Sequence, residues 1–529
     1  MSDRLLGKAG SIIILIFVGF GILGLSVWRE GSSGELPLIP YPVQVERGSG
    51  SFALRQEMLM VVSPDAPADV LSTGRIICDK IRARTGIELK IVQLHEFAPG
   101  QIALKIDTTD PELIIHGPEA YRLEVSWSEE SGGEVVLVAS CAHGFFNAGM
   151  TLLQLLRKDG ECWVIPSVVI LDYPRFIHRG LHLDPARNFL SMEFVKRYVD
   201  LISHLKLNVL HFHLVDDQGW RLEVKGFPRL HEVGGAGGYY TQVEIKDLIA
   251  YADSRHVTVI PEIEMPGHCT AMLAGYPELS CSGEEVEVSK IWGIHRNAMC
   301  PCREDTYQFI DELIREVVLL FPSGYIHIGS DEVMPKDWLD DPRCKALAEE
   351  KGLEGNRGLQ SYFVGRVAKI LANYDRRMIG WDEIVDYAPE GAVVQAWHNL
   401  EKAREAALAG RGVIVSPVNP WYFDYPEWMW SMKKGYLFDP VPEGLSPDQE
   451  KWILGGEACM WGERAPQDKI DYKLFPRTLA LSEVLWSPKD NREFKGFKAR
   501  VRAYRPVLKD QGVKFKPWPQ AGIYPVITP

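Results

Sequence analysis

No Asn-x-Ser/Thr sequon occurs in the 529 residues, so nothing marks the chain for N-linked glycosylation. Positive charge is scarce: 58 Lys and Arg stand against 71 Asp and Glu, a net charge of −13. Phosphate backbones need a basic surface, which excludes nucleic acid as an expected partner. No repeat or low-complexity tract interrupts the chain. No cysteine pair has the two-residue spacer of the usual zinc or redox motifs; the tightest spacing is Cys300-Pro-Cys302. The cysteine count of 9 is odd, so at least one thiol is free or pairs between chains. One bridge, between Cys281 and Cys300, is expected, with the others as buried thiols. Neither a metal nor a cofactor is expected. What is present is apolar bulk: 46% apolar residues over this length can fill more than one core, and two domains are the natural expectation. The chain also carries 15 Trp, whose ring faces suit the apolar patches of sugars.

Residues 9–28 carry no charge and are long enough to cross a bilayer as a helix. A cleaved signal would have a shorter apolar core and a small-x-small exit, and Ser26-Val-Trp-Arg29 is a poor one. Residues 1–30 are therefore expected to be an uncleaved transmembrane anchor rather than a signal peptide. Arg4 and Lys8 favour an inside N-terminus, which puts the rest of the chain outside the cytoplasm. Residues 35–174 read as a small α+β unit, with strands at 59–62, 89–92, 102–106, 121–125 and 135–139 and helices at 68–85 and 144–157. No cluster of titratable groups stands out there, and its expected role is support. Residues 175–515 alternate strand, polar loop and amphipathic helix. Strands at 179–184, 208–214, 257–263, 325–328, 378–381, 393–396, 413–416 and 453–457 predict a (β/α)8 barrel of the TIM type.

Several of those strands end in acids, His or Trp, which is where such a barrel gathers its active site. The central stretch is residues 324–333, GYIHIGSDEV, where a short strand breaks at Gly329-Ser330 and delivers Asp331 and Glu332 together. Paired carboxylates among tryptophans suggest cleavage of a glycosidic bond. In the two-carboxylate schemes the acids flank the sugar, at about 5–5.5 Å for retention and more for inversion. Sequence neighbours can hardly do that. Either another acid attacks, or the nucleophile comes from the substrate. The carbonyl oxygen of a 2-acetamido sugar is such a group.

The motif HIGSDEV at residues 327–333 matches the HxGxDE signature of glycoside hydrolase family 20, the β-N-acetylhexosaminidases, which the chain resembles over most of residues 37–510. Ser330 stands where the family has its second Gly. Residues 143–154, HGFFNAGMTLLQ, are similar to the end of the family's non-catalytic α+β domain. The family is known for substrate-assisted catalysis, so the resemblance implies an exo-acting, retaining enzyme for terminal β-linked N-acetylhexosamine. By motif, Glu332 is implied as general acid/base and Asp331 as the group orienting the acetamido nitrogen. Tyr422 would bond the acetamido carbonyl oxygen, although Tyr425 and Trp428 stand close enough in sequence to be the contact instead. Trp381, Trp397 and Trp461 would enclose the acetamido methyl and ring. Arg187 would hold the 3- and 4-hydroxyls, beside Asn188 where the family more often has His. Glu463 would take the 4- and 6-hydroxyls with Asp424 beside it. Asp216 and His268 resemble a buried relay behind Glu332. Arg179 and Asp184 read as a structural pair.

Two other readings stay open on residues alone. His211-Phe-His213 puts two imidazoles on one strand face, as metal-dependent amidohydrolase barrels do, and a membrane-tethered glycan-binding protein with an inactive site is the second. A homodimer is one assembly left open, as is the choice between gluco and galacto sugars.

Overall fold

Eight strands, His178–Leu183, Val209–His213, Thr258–Glu262, Tyr325–His327, Arg377–Trp381, Val393–Ala396, Gly412–Val415 and Ile453–Ala458, close in parallel sequence order into a barrel. The computed structural model describes residues 36–129 and 132–515. The expected N-terminal span at residues 9–28 lies outside the described residues, and among those described no helix is long and apolar enough to cross a membrane.

Side chains of a strand point inward at every second residue. Val209, Ile260, Ile379, Val393 and Ile414 form an apolar plug inside the barrel. Two residues further along the same strands stand His211, Glu262, Trp381, Gln395 and Ser416, all buried. Polar groups therefore gather toward the C-terminal ends, and the fold is decided at the other end by hydrocarbon. The surrounding helices are amphipathic in the ordinary way. Gln242–Asp253 begins in a capping box of Thr241 and Glu244 and turns Ile245, Leu248 and Ala252 inward.

The preceding unit is a mixed sheet in the order Gln44–Ala53, Cys162–Asp172, Tyr121–Ser126, Glu134–Ala139, Ile102–Ile106, Leu59–Val62, Lys90–Gln93. Its first two strands, and the short strand Arg157–Asp159 that pairs with Cys162–Asp172 off this order, come in addition to the five expected. Gln44–Ala53 is polar and glycine-rich, and Cys162–Asp172 contains Pro166, which cannot donate to a ladder. The pairing accommodates it where the register shifts between Arg47 and Ser51, with Ser51 opposite Pro166. The helix Ala142–Leu155 is buried almost throughout. Gln154 near its end exchanges both amide atoms with the backbone of Ile39, at 2.8 and 2.9 Å.

The absence of a titratable cluster in this unit does not hold once the barrel is beside it. Lys206 is buried and lies 2.7 Å from Asp172 Oδ2 and 2.8 Å from the Tyr121 hydroxyl. Arg179 pairs with Glu119 of the small unit, not with Asp184. Trp486, from the last barrel helix, joins the small unit's core and donates to Asp172 at 2.8 Å. These partners sit far apart in the sequence, and each half alone shows only one side of the pair.

Candidate active site

The fourth barrel strand ends at His327, and the chain then turns sharply. Gly329, Ser330 and Glu332 all have positive φ, at 64°, 69° and 47°. Left-handed backbone costs a non-glycine residue about 1–3 kcal/mol and persists where the surroundings over-determine it. Here they do. A Cβ on Gly329 would run into the Glu264 carboxyl group, so that position accepts only glycine. Ser330, the departure from the family signature, is buried, and its carbonyl and hydroxyl oxygens both accept from Gln360 Nε2, at 2.8 and 3.0 Å. This turn brings Asp331 and Glu332 to the same neighbour: His268 Nε2 lies 3.7 Å from Asp331 Oδ2 and 3.4 Å from Glu332 Oε2.

His268 follows Pro266-Gly267 in a loop and itself has φ 45°. Its Nδ1 is 3.1 Å from Asp217 Oδ2 and 3.5 Å from Asp216 Oδ1. The expected partner Asp216 is thus present but farther, and Asp217 is the hydrogen-bonded one. Asp217 is fixed in turn by the Thr270 N–H at 3.0 Å. Asp216 gives one oxygen, Oδ2, to both Arg187 Nη2 at 2.7 Å and His213 Nε2 at 3.0 Å, while its Oδ1 accepts from the Asp217 N–H at 2.6 Å. Burial alone would drive the imidazolium form of His268 out, but Asp216 and Asp331 hold its pKa well above the ordinary value. A cation therefore faces both members of the carboxylate pair.

Arg187 sits where the first strand leaves the barrel, 3.1 Å from Asp184 Oδ2 and 3.8 Å from Glu463 Oε1. Its guanidinium lies 4.8 Å over the Trp461 ring. Asp184 also accepts from the Gly462 N–H at 2.8 Å, and Asn188 Nδ2 donates to the Gly462 carbonyl at 2.5 Å. Asp184, read as structural, thus places both Arg187 and the turn that carries Glu463.

Trp381, Tyr422 and Cys459 form one apolar cluster, with Trp397 and Trp461 packed on it. The Trp397 and Tyr422 rings stack with centroids 6.3 Å apart, and Tyr422 meets Trp461 at 5.9 Å. Trp381 donates Nε1–H to Glu262 at 2.9 Å and is the floor of this cage. Trp428 is 72% exposed and outside it, and Tyr425 packs on its margin with a ring contact to Trp430. Burial keeps the Tyr422 hydroxyl protonated far above its usual range. Burial likewise pushes the Asp424 carboxyl up to about 7. Asp331 Oδ1 and Asp424 Oδ1 are buried without a hydrogen-bond partner among the described residues. Such orphaned acceptors are uncommon in folded proteins and mark places for a donor from outside the chain.

His211 and His213 do not favour the metal reading. His211 Nδ1 is 2.7 Å from Glu457 Oε1 and its Nε2 3.1 Å from Glu262 Oε2. His213 sits between Glu262 and Asp216. Burial pulls both imidazoles down, but these carboxylates raise them to about 9 and about 10. An imidazolium with both nitrogens turned to carboxylates has no lone pair for a metal. The two histidines are the polar filling of the barrel.

Three acids just past the ends of the third and fifth barrel strands were missed as site residues. Glu264 is buried under Gly329, and burial together with Asp331 and Glu262 keeps it well above the carboxylate range. Glu383 Oε2 accepts from Trp397 Nε1 at 3.1 Å and its Oε1 from the Glu332 N–H at 3.4 Å, tying the cage wall to the turn that carries Asp331 and Glu332. Asp382 beside it accepts from the Trp397 and His398 N–H groups at 2.9 and 3.0 Å. The signal was the doublet after Trp381, whose two acids grip the same tryptophan from ring and backbone.

Burial, then Asp331 and Asp382, raises Glu383 from 4.5 to about 8. A carboxyl that is harder to ionise folded than unfolded subtracts stability as pH rises from about 4.5 to about 8, and the loss is complete above that. The melting temperature is expected to fall across that window, and Glu383→Gln to flatten the fall. A variant whose curve keeps the parent's slope between those limits contradicts this.

A barrel mouth with adjacent carboxylates, a cationic relay and an aromatic cage is built to protonate a bond beside a ring it encloses, and the class of protein is a glycoside hydrolase. The model for glycosyl hydrolase family 20, catalytic domain, matches residues 176–489, and that for the family's domain 2 matches residues 35–173. A beta-hexosaminidase of Porphyromonas gingivalis is 34% identical over 496 residues, which cover 88% of this chain and 62% of that protein. One from Vibrio furnissii is 34% identical over 500 residues, covering 86% of this chain and 78% of that one. The crystal structure of an exo beta-N-acetylglucosaminidase from Vibrio harveyi in complex with N-acetylglucosamine superposes with a TM-score of 0.81 at 32% identity, covering 91% of this chain and 78% of that one. This chain spans less than two thirds of the P. gingivalis relative and more than three quarters of the other two. The chain belongs to glycosyl hydrolase family 20.

Proposed function

We propose that the protein is an exo-acting, retaining β-N-acetylhexosaminidase that removes non-reducing terminal β-linked GlcNAc or GalNAc by substrate assistance. The carrying observation is that Asp331 and Glu332 both face one nitrogen, His268 Nε2, at 3.7 and 3.4 Å. Their oxygens lie within 4.8 Å of each other, too close for a sugar ring to sit between them, and the flanking scheme needs the ring there. The nucleophile is then the acetamido carbonyl oxygen. It forms a bond to C1 as the glycosidic bond breaks, and Glu332 passes its proton to the departing oxygen. The product is an oxazolinium ion. Water then gives a proton to Glu332 and its oxygen to C1, the ring opens, and the configuration is retained.

Asp331 accepts from the acetamido N–H through its unpartnered Oδ1 and balances the charge of the oxazolinium. Tyr422 donates to the acetamido oxygen, and Trp381, Trp397 and Trp461 keep water from the methyl group. Arg187, Asp424 and Glu463 hold the hydroxyls that separate gluco from galacto sugars. Extracytoplasmic location, attachment through residues 9–28 and a homodimer are expectations that accompany this reading; disulfides in the barrel suit an oxidising compartment.

The test is a hydrolysis panel with the product anomer followed by NMR. Terminal β-linked N-acetylglucosaminides and N-acetylgalactosaminides should be cleaved to β-products, and the matching α-linked and non-acetylated glycosides should not. Equal cleavage of a substrate lacking the acetamide, or an inverted product, overturns the proposal.

A further inference from the structure

Beside the catalytic turn, two disulfides lie in contact: Cys281–Cys300 and Cys302–Cys344. The first is the bridge expected from the sequence; the second joins positions 42 residues apart. Between the two, Cys300 and Cys302 sulfurs are 3.3 Å apart, Cys281 and Cys344 3.6 Å, and Cys281 and Cys302 4.0 Å. All four sulfurs lie within 4.8 Å of one another. Thiolates bind Zn2+ at about 2.3 Å, so a tetrahedral site has sulfur–sulfur edges of about 3.8 Å. The edges between the disulfides already have roughly that length. Only the two bonded edges would have to open.

The surroundings suit an enclosed ion. Cys281, Cys300 and Cys344 are buried and Cys302 is half-buried, in a small core with Ala298, Trp338 and Leu359. Cys344 stands in the first turn of the ten-residue helix Pro342–Lys351, where backbone N–H groups favour a thiolate. The Arg343 guanidinium donates to the Cys281 carbonyl at 2.8 Å, with its charge paired to Asp341, whose Oδ1 lies 4.0 Å from the Cys302 sulfur.

We propose that these four cysteines form a tetrathiolate zinc site in the reduced chain, which the two disulfides replace on oxidation. The linear spacing hides this, because the ligands come from three segments and Cys300-Pro-Cys302 lacks the usual spacer. Either form fastens the insertion carrying Cys281, Cys300 and Cys302 to the segment that runs from Glu332 to Cys344. In the reduced chain zinc also keeps the four thiolates together before they pair. The exchange balances with a disulfide oxidant such as oxidised glutathione. Two such molecules accept four electrons from the four thiolates and four protons from water and leave as four thiols, the four thiolates become two disulfides, and Zn2+ departs.

The test uses the full chain, reduced under anaerobic conditions and offered zinc, and separately cobalt, with metal and thiols counted. About one zinc per chain is expected, together with thiolate-to-cobalt charge-transfer bands and the visible bands of a tetrahedral cobalt site. Oxidised glutathione should release the metal as four thiols disappear. Cys302→Ser, reduced in the same way, should retain less than about a tenth of the parent's metal, while the Cys281–Cys300 bridge of its oxidised form and its hydrolytic activity report that it folds. Metal uptake by the reduced parent no greater than that of Cys302→Ser overturns the proposal. So does an octahedral cobalt spectrum, or metal that stays bound after all four thiols are oxidised.

Discussion

Replacing Glu332 by Gln lowers turnover of an unactivated β-linked N-acetylhexosaminide by about 100- to 10,000-fold, the usual worth of a positioned general acid. Gln keeps the volume of the side chain and its place opposite His268, 3.4 Å away in the parent, but has no proton to give. The loss should therefore depend on how much the departing oxygen needs that proton. A glycoside of a strongly acidic phenol leaves without help, so its first step, formation of the oxazolinium, should be nearly untouched. The second step still needs a base to take a proton from water, and an added small nucleophile such as azide should restore it. Measuring kcat/KM, which reports the first step, for a good and a poor leaving group on both proteins checks this. An equal loss on the two would show that Glu332 does something other than protonate.

Asp331→Asn should cost about 100- to 1,000-fold in kcat, on the scale of removing one preorganised electrostatic contact at a developing charge. The carboxylate is enclosed, with its side chain 14% exposed, and faces the His268 cation. Burial pushes its pKa up, His268 pulls it back, and Glu262 and Glu332 push it up again. Asn accepts a hydrogen bond from the acetamido N–H through its carbonyl but carries no charge to set against the oxazolinium. The change should fall on kcat more than on KM, because the charge appears only as the ring closes. A thiazoline mimic of the cyclised sugar, which develops the same charge, should lose affinity in parallel. A variant with the parent's kcat on acetamido substrates would remove Asp331 from the mechanism.

The barrel could be read because its strands announce themselves twice, by apolar runs and by the acids, His and Trp at their ends. All eight expected strands overlap the observed ones, the fourth at Tyr325–His327 and the fifth at Arg377–Trp381 among them. Three strands of the small unit escaped notice: Gln44–Ala53 is polar, Cys162–Asp172 is interrupted by Pro166 and meets the first only through a register shift, and Arg157–Asp159 is three charged residues beside it. In the site, residues that sit in a motif could be named, and the structure brings Arg187, Asp216, His268, Asp331, Glu332, Trp381, Trp397, Tyr422, Asp424, Trp461 and Glu463 to one end of the barrel. Their partners were harder to see. Asp217 rather than Asp216 is hydrogen-bonded to His268, and adjacent identical residues give a sequence no means of choosing between them. Glu383 and Asp184 act by holding a tryptophan and an arginine, and a holding residue has no pattern of its own. Cys302 and Cys344 meet across 42 residues, a distance that spacing rules do not reach.

The buried Lys206, held by Asp172 and Tyr121, changes how the small unit should be regarded. Strip that unit away and the barrel inherits an ammonium and a guanidinium, Lys206 and Arg179, whose counter-charges have gone. Water would hydrate those two cations, but their hydrogen bonds to Asp172, Tyr121 and Glu119 would be lost and Trp486, part of the small unit's core, would face solvent; losses of a few kcal/mol are a large share of the whole stability of a typical domain. A catalytic half trimmed at the boundary would therefore be a poorer protein than the intact one, even though no atom of its mouth had been touched. The companion is less a neighbour than a missing wall of the same house.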